Sequence, residues 1–196
     1  MPSSPWLARN LSRNISNRNG NDKPVHILEA GPGTGALTTE IVRHLQPGDH
    51  LTLCEINSCF VKHLEKRLLS DGGLRPWADQ ITIHHGPVEE LGVDSHFDHI
   101  ISGLPFNNFP PELVRQIFYA FFRAAKTDAT ISFFEYVGIR KLKAPFLSPA
   151  ERERLNEVES IIEEFMTQGE RHMTIWNLPP AWACTVHTSQ QNKEVA

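Results

Sequence analysis

The fold is decided by the stretch Ile27-Leu28-Glu29-Ala30-Gly31-Pro32-Gly33-Thr34-Gly35. An apolar run over Val25–Ala30 leads into a turn with three glycines, and a helical pattern over Ala36–Leu45 follows directly. Glycine has no Cβ, so such a turn lets the backbone approach a ligand closely. The start of the following helix adds partial positive charge, which suits a ligand carboxylate. The stretch therefore predicts a strand, a ligand-binding turn and a helix.

Strand and helix patterns alternate through the rest of the chain. Further strands are expected over His50–Ile56, Gln80–His84, His96–Ser102 and Ala129–Tyr136, followed by an antiparallel pair over His172–Asn177 and Ala183–Thr188. Further helices are expected over Phe60–Leu69, from Pro111 to about Ala125, and from the capping box Ser148–Glu151 to Gly169. This order predicts an α/β domain over residues 24–190, with a mostly parallel seven-stranded sheet and helices on both faces.

The composition is that of one globular domain. The chain has 196 residues, of which 40% are hydrophobic and 21% charged, and no apolar run approaches the ~20 residues of a membrane-spanning helix. Cys54, Cys59 and Cys184 have no paired spacing, so we expect neither disulfides nor a zinc site, and a reducing compartment. The net charge of −4 argues against dedicated binding of nucleic acid, which usually requires a basic excess.

Residues 1–23 stand apart from the alternating pattern. Leu7, Leu11 and Ile15 recur every four residues, with Trp6 beside them and arginines on another face. This is the pattern of an amphipathic helix, and two interpretations stay open: the segment rests in the headgroup layer of a membrane, or it packs over the domain's own ligand cleft and closes it. The arginines and the lack of a continuous apolar centre argue against a secretory signal.

The glycine turn and two acidic residues indicate which ligand is bound. The spacing is G-x-G-x-G, which differs from the G-x-G-x-x-G of dinucleotide-binding turns. Glu29 precedes the turn, where it suits a cationic amino group better than a pyrophosphate, and Glu55 ends the second strand, where it can accept hydrogen bonds from both ribose hydroxyls. The pattern E-x-G-x-G-x-G with an acidic end to strand two resembles the class I S-adenosylmethionine-dependent methyltransferases, which have a Rossmann-like domain.

That resemblance implies S-adenosylmethionine as cofactor and S-adenosylhomocysteine as product. It assigns cofactor contacts to Glu29, Gly31, Pro32, Gly33, Thr34, Gly35, Glu55, Ile56 beside the adenine, and Ser102. In many relatives an Asp after strand three contacts the adenine amine, whereas this chain has His85-Gly86-Pro87-Val88-Glu89. We therefore expect a backbone contact near Gly86 and Pro87 to take the place of that Asp.

The acceptor site is expected in residues 101–111, where the fourth strand ends. The rRNA adenine dimethyltransferases have Asn/Asp-Leu-Pro-Tyr/Phe there; the leading side chain and the proline carbonyl hold the adenine amine, and the aromatic ring stacks on the base. This chain has Gly103 in the leading position, so the side-chain acceptor is missing. Ser102-Gly103-Leu104-Pro105 and Asn108-Phe109-Pro110 more closely resemble the bacterial phospholipid N-methyltransferases and the related ornithine-lipid N-methyltransferases, which also begin with an amphipathic helix.

The lipid-enzyme resemblance implies one to three methyl transfers to the amine of a phosphatidylethanolamine-like or ornithine-lipid-like headgroup. The neutral amine must lie in line with the sulfonium, so alignment and exclusion of water dominate the catalysis. The candidate catalytic residues are Ser102, Gly103, Leu104, Pro105, Phe106, Glu135, Tyr136 and His172. Phe106 and Tyr136 are candidates for holding a methylammonium by cation–π contact. The proton acceptor stays open between Glu135, Tyr136, His172 and water.

The candidate substrate-binding residues are Asn107, Asn108, Tyr136, Arg140, Lys141 and Lys143. The last three suit a headgroup phosphate or carboxylate. We expect no metal, because the histidines lack metal-ligand spacing, and a monomer on the inner face of the cytoplasmic membrane without a nucleic-acid partner. Three alternatives stay open: an rRNA adenine-N6 enzyme, a small-molecule amine methyltransferase, and a protein of this fold without catalysis.

Overall fold

The sheet has seven strands that follow the predicted alternation. They are β1 His26–Ala30, β2 His50–Glu55, β3 Ile81–His85, β4 Phe97–Ser102, β5 Ala125–Tyr136, β6 Glu170–Thr174 and β7 Ala181–His187. The computed structural model describes residues 4–18, 23–136, 148–167, 169–174, 177 and 179–191, without the side chains of residues 190 and 191.

The helices are set by local signals that the sequence contains. They are α1 Pro5–Leu11, α2 Arg13–Ser16, α3 Ala36–Val42, α4 Ser58–Ser70, α5 Pro111–Ala124, α6 Pro149–Phe165 and α7 Thr188–Gln191, with 3₁₀ turns over Arg75–Gln80, Val88–Glu90 and Phe106–Asn108. The predicted capping box is present, since Ser148 and Glu151 exchange side-chain-to-backbone hydrogen bonds at the start of α6. Proline is in the first turn of α1, α5 and α6. Its lack of an N–H costs nothing there, because the N–H groups of the first turn have no acceptor within the helix.

The strand order is β3-β2-β1-β4-β5-β7-β6, which confirms the predicted doubly wound fold. β1 pairs in parallel with both β2 and β4, so the order reverses between β1 and β4. β7 is antiparallel to both β5 and β6, as predicted for the terminal pair. In an open parallel sheet, ligands bind beyond the carboxyl ends of the strands at such a reversal. The fold therefore locates the site beyond Ala30 and Ser102, the last residues of β1 and β4.

Each face of the sheet is covered by helices. One face packs against α5 and α6 through a cluster that includes Phe118, Phe133 and Ile161. The other face packs against α1, α3 and Leu64 of α4, and Phe134 belongs to that second cluster. Successive residues of a strand point to opposite faces, so neighbouring residues of β5 look into different layers of the molecule.

The N-terminal segment is part of this second layer. Leu7, Leu11 and Ile15, the predicted apolar face, are at most 2% exposed and pack with α3 and the β5–β7 side of the sheet. The apolar face of the helix, which could have contacted a membrane, is therefore buried against the domain itself. Trp6 stays 51% exposed, with the Arg9 guanidinium 5.4 Å from its ring centroid. Within the described ranges, no helix has the length and apolar character needed to cross a bilayer.

Some element bounds differ from the prediction. β5 begins at Ala125, directly after α5, rather than at Ala129. β6 and β7 each begin two residues earlier than expected, and β6 ends at Thr174. Asn177, predicted to end β6, is 6% exposed and accepts a hydrogen bond from the N–H of Ser4. The segment after β6 is therefore held by a contact with a residue 173 positions away, which a local sequence pattern cannot predict.

Candidate active site

Two turns meet where β1 and β4 end. The N–H of Gly103 donates to the carbonyl of Ala30 (2.8 Å), and the N–H of Gly31 donates to the carbonyl of Cys54 (2.9 Å). A Cβ on Gly103 would lie 2.7 Å from the carbonyl oxygen of Gly31, and a Cβ on Gly31 would lie 2.5 Å from the Leu104 side chain. Gly103 is therefore required by the approach of the two backbones to each other, whereas Gly31 is required mainly by its φ of +72°.

The glycine turn repeats a left-handed backbone conformation. Gly31, Gly33 and Gly35 have φ values of +72°, +54° and +80°, which residues with a side chain rarely adopt. A Cβ on Gly33 would meet nothing within 4 Å, so the turn leaves an open cradle there. A Cβ on Gly35, in contrast, would lie 2.5 Å from the guanidinium of Arg67 on α4. The third glycine makes room for the protein itself, whereas the sequence had assigned it to a ligand.

Glu55 ends β2 beside this turn. Its side chain is largely buried, and one carboxylate oxygen accepts a hydrogen bond from the N–H of Gly33 (3.0 Å). The other oxygen accepts one from the N–H of Asn57 (2.8 Å). A carboxylate has about four acceptor positions, so these two bonds orient the group and leave positions for two ribose hydroxyls.

Glu29 lies below the turn, wholly buried beside Thr38 of α3. Neither of its carboxylate oxygens, nor the Thr38 hydroxyl, has a hydrogen-bond partner among the residues the structure describes. Burial raises the pKa of Glu29 to about 8, which the neighbouring Thr38 opposes only in part. A buried carboxyl group without partners is destabilising, and a cationic ligand group would relieve that. Glu29 lines neither cavity described below, so it acts from beneath the turn.

A cavity of about 190 Å³ opens on one side of Glu55, and we call it the Glu89 cavity. It brings together the predicted residues Glu55, Ile56, Gly86 and Pro87 with Glu89, which the sequence analysis did not select. Its apolar wall consists of Leu104, Phe109, Leu113 and Ile117. Glu89 is in the 3₁₀ turn after β3. It brings an acidic residue to the cavity, near the position where many relatives have an Asp. An acidic residue two positions beyond Pro87 was the available signal.

A second cavity, of about 480 Å³, lies on the other side of the turns, and we call it the Tyr136 cavity. The predicted residues in its wall are Gly31, Pro32, Gly33, Thr34, Gly103, Leu104, Pro105, Asn108 and Tyr136. Phe60 and Phe134 add two aromatic rings that the sequence analysis missed. The two cavities share Gly31, Glu55 and Leu104, so a ligand seated at Glu55 can extend into both.

Ser102 and Phe106 do not line the Tyr136 cavity, and the structure places neither side chain where its predicted role requires it. Ser102 is fully buried, and its hydroxyl oxygen accepts a hydrogen bond from the N–H of Leu104 (3.2 Å). It shapes the turn and is not placed to orient an amine or contact a cofactor. Phe106 is 2% exposed and lies 5.0 Å from Phe118 and 5.8 Å from Phe133, centroid to centroid. The turn after β4 directs its ring into the core, away from a substrate.

Glu135 and His172 are also misplaced for proton transfer. Glu135 points to the face of the sheet opposite Tyr136, where Arg171 lies 3.7 Å away and the Cys184 thiol donates to it (3.4 Å). Burial raises the pKa of Glu135, and Arg171 opposes that rise. His172 lies on the outermost strand, β6, next to Arg13 (3.3 Å). The alternation of side chains along β5 and the distance of β6 from β1 exclude both from the cavity.

Tyr136 is the one proton-acceptor candidate that lines the cavity. Burial raises the pKa of its phenol further above the ordinary value of about 10. The hydroxyl is therefore protonated at neutral pH and donates a hydrogen bond more readily than it takes a proton. Of the candidates left open by the sequence, water is the one that the described geometry retains.

The substrate-binding predictions have mixed outcomes. Asn108 lines the Tyr136 cavity, whereas Asn107 does not. Arg154 of α6, which the sequence analysis missed, donates through Nη1 to the carbonyls of Asn107 (3.1 Å) and Phe109 (2.8 Å). The start of α6 thus holds the turn that carries Asn108. Arg140, Lys141 and Lys143 lie outside the described residues.

Two of the three cysteines are buried in the core, and Cys59 is exposed. Cys54 and Cys184 are buried, and burial raises the pKa of the Cys54 thiol to about 12 and that of Cys184 further still. Both thiols are therefore protonated and poor nucleophiles at neutral pH. Across the described part of the chain, no three His, Cys, Asp or Glu side chains come together in a way that would hold a metal ion.

The model of the methyltransferase domain family matches residues 27–128, which is more than half of the chain. The chain belongs to that family. The matched range contains the glycine turn, Glu55, Glu89 and the turn after β4. The methyltransferase fold of the sheet and the geometry at the reversal between β1 and β4 thus agree with the sequence match.

Two curated relatives and one solved structure illustrate the range of similarity. An ornithine lipid N-methyltransferase from Singulisphaera acidiphila is 30% identical over 117 residues, which is 60% of this chain and 58% of that enzyme. A mitochondrial ribosomal RNA small subunit methyltransferase from Arabidopsis thaliana is 35% identical over 93 residues, 47% of this chain and 22% of that enzyme. The O-methyltransferase TomG from Streptomyces achromogenes, solved with SAM, superposes with a TM-score of 0.62 at 16% identity, covering 93% of this chain and 78% of that one. The chain spans less than two thirds of the length of either relative.

S-adenosylmethionine is the cofactor of this methyltransferase, and the residues present fit it. Glu55 and the Glu89 cavity would hold its adenosine end, and the open cradle at Gly33 its methionine end. The unpartnered carboxyl group of Glu29 fits a site that receives a cationic amino acid. When bound, the cofactor supplies an electrophilic methyl group on a sulfonium. The turns that end β1 and β4 would orient that group between the two cavities.

Proposed function

We propose that this methyltransferase is an N-methyltransferase that acts on the amine headgroup of a membrane aminolipid, such as ornithine lipid or phosphatidylethanolamine. The observation that carries the proposal is the 30% identity with an ornithine lipid N-methyltransferase over 60% of the chain. The motifs Ser102-Gly103-Leu104-Pro105 and Asn108-Phe109-Pro110 point to the same class of enzyme. Both motifs are in the turn that separates the two cavities.

The aromatic wall of the Tyr136 cavity supports an amine acceptor. Phe60, Phe134 and Tyr136 present three rings to the space on the far side of the glycine turn from the Glu89 cavity. Aromatic faces attract methylated ammonium groups by cation–π interaction, worth about 0.5–2 kcal/mol per contact. Such a wall favours an acceptor that becomes a methylammonium and also suits repeated methylation of one nitrogen.

In this proposal the chain positions the amine of the headgroup, and a water molecule accepts its proton. Glu135 is on the other face of the sheet, and the Tyr136 phenol is neutral. The turn 103–105 is part of the wall, and its backbone carbonyl groups are the acceptors that we assign to orienting a neutral amine toward the cofactor. Because ionised amines cannot attack, the rate at low pH is limited by the neutral fraction of the headgroup.

A membrane surface at the open end of the Tyr136 cavity is consistent with the position of α1. The Asn10 side chain donates to the hydroxyl of Thr174 (2.7 Å), and Thr174 pairs through Ala181 with Tyr136. The end of α1 therefore lies at the same edge of the sheet as the cavity, and Ser4, directly before α1, contacts Asn177 in the link after β6. Trp6, half exposed there, is a side chain suited to a bilayer interface. We infer a peripheral enzyme on the cytoplasmic membrane that makes contact through this edge and keeps its apolar helix face in the core.

An rRNA adenine methyltransferase is the second candidate, because a ribosomal RNA small subunit methyltransferase is 35% identical over 93 residues. Three observations count against it. Gly103 provides no side-chain acceptor for a base amine, and Phe106 is packed in the core where a base cannot stack on it. A net charge of −4 also disfavours a phosphate backbone.

The deciding experiment is methyl transfer from labelled S-adenosylmethionine into vesicles of bacterial lipid and, in parallel, into rRNA and small amines. We expect label in a lipid that chromatography identifies as an N-methylated aminolipid. Vesicles in which the headgroup amines have been acetylated serve as the matched control and should take up no label. Label in RNA alone, or only in soluble amines, would overturn the proposal.

A further inference from the structure

Arg67 of α4 lies behind the glycine turn and lines neither cavity. Its Nη1 donates to the carbonyl oxygens of Thr34 (2.9 Å) and Gly35 (3.0 Å). Its Nη2 donates to the hydroxyl of Thr39 (2.9 Å), and both Nη2 (2.6 Å) and Nε (3.0 Å) donate to Oδ2 of Asp71. These five hydrogen bonds match the five N–H groups of a guanidinium. No donor is left for a ligand, so Arg67 acts through the groups that it holds.

The groups that Arg67 holds are the end of the glycine turn and the start of the next helix. Gly35 is the N-cap of α3 with φ +80°, and its carbonyl also accepts from the N–H (3.0 Å) and hydroxyl (2.8 Å) of Thr39. A Cβ at Gly35 would lie 2.5 Å from Nη1 of Arg67, so this glycine is what admits the guanidinium. The turn and the arginine therefore fit each other, and neither fits a ligand at this point.

Asp71 fixes the orientation of the guanidinium. It follows Arg67 by one helical turn, and its second oxygen accepts from the N–H of Gly73 (2.9 Å). The Arg67 hydrogen bonds lower the pKa of Asp71, so its carboxylate is charged throughout the neutral range. The result is a planar arginine held on one side by Asp71 and presented on the other to the turn.

We propose that Arg67 is a positioning residue for S-adenosylmethionine, which keeps the glycine turn in its binding conformation before the cofactor arrives. If the turn has its binding conformation in only a fraction of the molecules, the apparent affinity for the ligand is the intrinsic affinity multiplied by that fraction. Loss of Arg67 therefore lowers the affinities for S-adenosylmethionine and S-adenosylhomocysteine by the same factor. The chemical step at saturating cofactor is unchanged, because Arg67 touches neither cavity.

The test is titration calorimetry of S-adenosylhomocysteine with Arg67→Ala, Arg67→Lys and Asp71→Asn. We expect about ten-fold weaker binding for Arg67→Ala, and smaller losses for the other two, because each retains part of the hydrogen-bond set. Arg115→Ala is the matched control: Arg115 is on α5, its ion-pair partner Glu164 is exposed, and affinity should not change. If Arg67→Ala does not fold, the two milder variants carry the test.

Kinetics separate positioning from a purely structural role. In the folded variants, KM for S-adenosylmethionine should rise by the same factor as the dissociation constant of S-adenosylhomocysteine, while kcat stays within about two-fold. Unchanged binding in folded Arg67→Ala, or a loss of kcat with KM unchanged, would overturn the proposal. The calorimetry needs no acceptor, so its result is independent of whether the lipid proposal holds.

Discussion

The cofactor half of the site, formed by the glycine turn, Glu55 and the Glu89 cavity, is built differently from the acceptor half, formed by the turn 103–109 and the Tyr136 cavity. In the cofactor half, backbone conformation decides the geometry of the glycine turn, and the turn, Glu55 and Glu89 follow or end β1, β2 and β3 in short stretches. Only the apolar wall of the Glu89 cavity comes from further along the chain, from residues 104–117. In the acceptor half, side chains from distant parts of the chain converge: Phe60, Tyr136 and, behind the turn, Arg154. The first kind of site can be found from local spacing, and the second requires the fold.

The largest effect is expected from Glu55→Ala in the cofactor half. The variant removes the acceptor for the ribose and also the partner of the Gly33 N–H, so the turn and the ligand both lose a contact. A hydrogen bond to a charged group contributes about 1.5–3 kcal/mol, which corresponds to roughly 10- to 150-fold in affinity. Titration of S-adenosylhomocysteine measures it.

Two variants delimit the Glu55 result. Glu55→Gln keeps the size of the side chain and should lose less affinity than the alanine variant. Glu65→Ala, at an exposed position of α4, should bind normally. If Glu55→Ala binds as tightly as the wild type, the carboxylate holds only the turn, and the cofactor half is less dependent on side chains than the structure suggests.

Gly103→Ala tests the point at which the two halves touch. The added Cβ would lie 2.7 Å from the carbonyl oxygen of Gly31, and a backbone atom cannot move aside cheaply. We expect a loss of about 1–3 kcal/mol in the free energy of unfolding, measured by urea denaturation, together with weaker cofactor binding. Gly72→Ala is the control, since a Cβ there meets nothing within 4 Å. Equal stability of the two variants would mean that the turns are independent.

The same contrast explains what the sequence could and could not predict. The glycine turn, Glu55 and the alternation of strands and helices along the chain were accessible because each depends on patterns within a few residues. Ser102 and Phe106 were assigned to the acceptor, and the structure buries both, because the direction of a side chain after a tight turn depends on tertiary packing. The assignment of Glu135 to the acceptor site failed for a simpler reason. Successive side chains of a strand point to opposite faces of the sheet, so Glu135 points away from the cavity that Tyr136 lines.

The N-terminal helix shows the same limit on a larger scale. The apolar periodicity of this helix was recognised correctly. The periodicity did not determine which surface the apolar face packs against. Leu7, Leu11 and Ile15 would present the same stripe to a bilayer or to a sheet, and the sheet buries them. An amphipathic pattern predicts that a face is covered and does not identify what covers it.

Glu29→Gln should separate stability from binding within the cofactor half. The folded-state pKa of Glu29, about 8, is above its unfolded value of about 4.5, so the carboxyl group contributes most stability below pH 4.5 and loses it as pH rises through 8. Gln carries no charge, so the variant should be more stable than the wild type at pH 8, by a margin on the order of 1 kcal/mol or more that shrinks toward pH 5.

Cofactor affinity should move in the opposite direction from stability in this variant, since a neutral Gln beneath the turn cannot attract the cationic amino group of the cofactor as a carboxylate does. Thermal unfolding from pH 5 to pH 8, combined with S-adenosylhomocysteine titration, measures both. A pH-independent difference in melting temperature would show that Glu29 is ionised in the folded protein. Unchanged affinity would show that it has no part in holding the cofactor.

The smallest effect is expected from Arg154→Ala, which removes two hydrogen bonds to the turn that carries Asn108. Asn108 lines the Tyr136 cavity, so the acceptor KM should rise about three- to ten-fold. The affinity for S-adenosylhomocysteine should fall less, because Phe109 is one of several residues in the apolar wall of the Glu89 cavity. Arg154→Lys, with one donor group, should be intermediate, and Arg115→Ala is the control. If cofactor affinity falls in step with the acceptor KM, the two halves are mechanically coupled through Leu104 and Gly31, and the distinction between a locally built half and an assembled half ends at that contact.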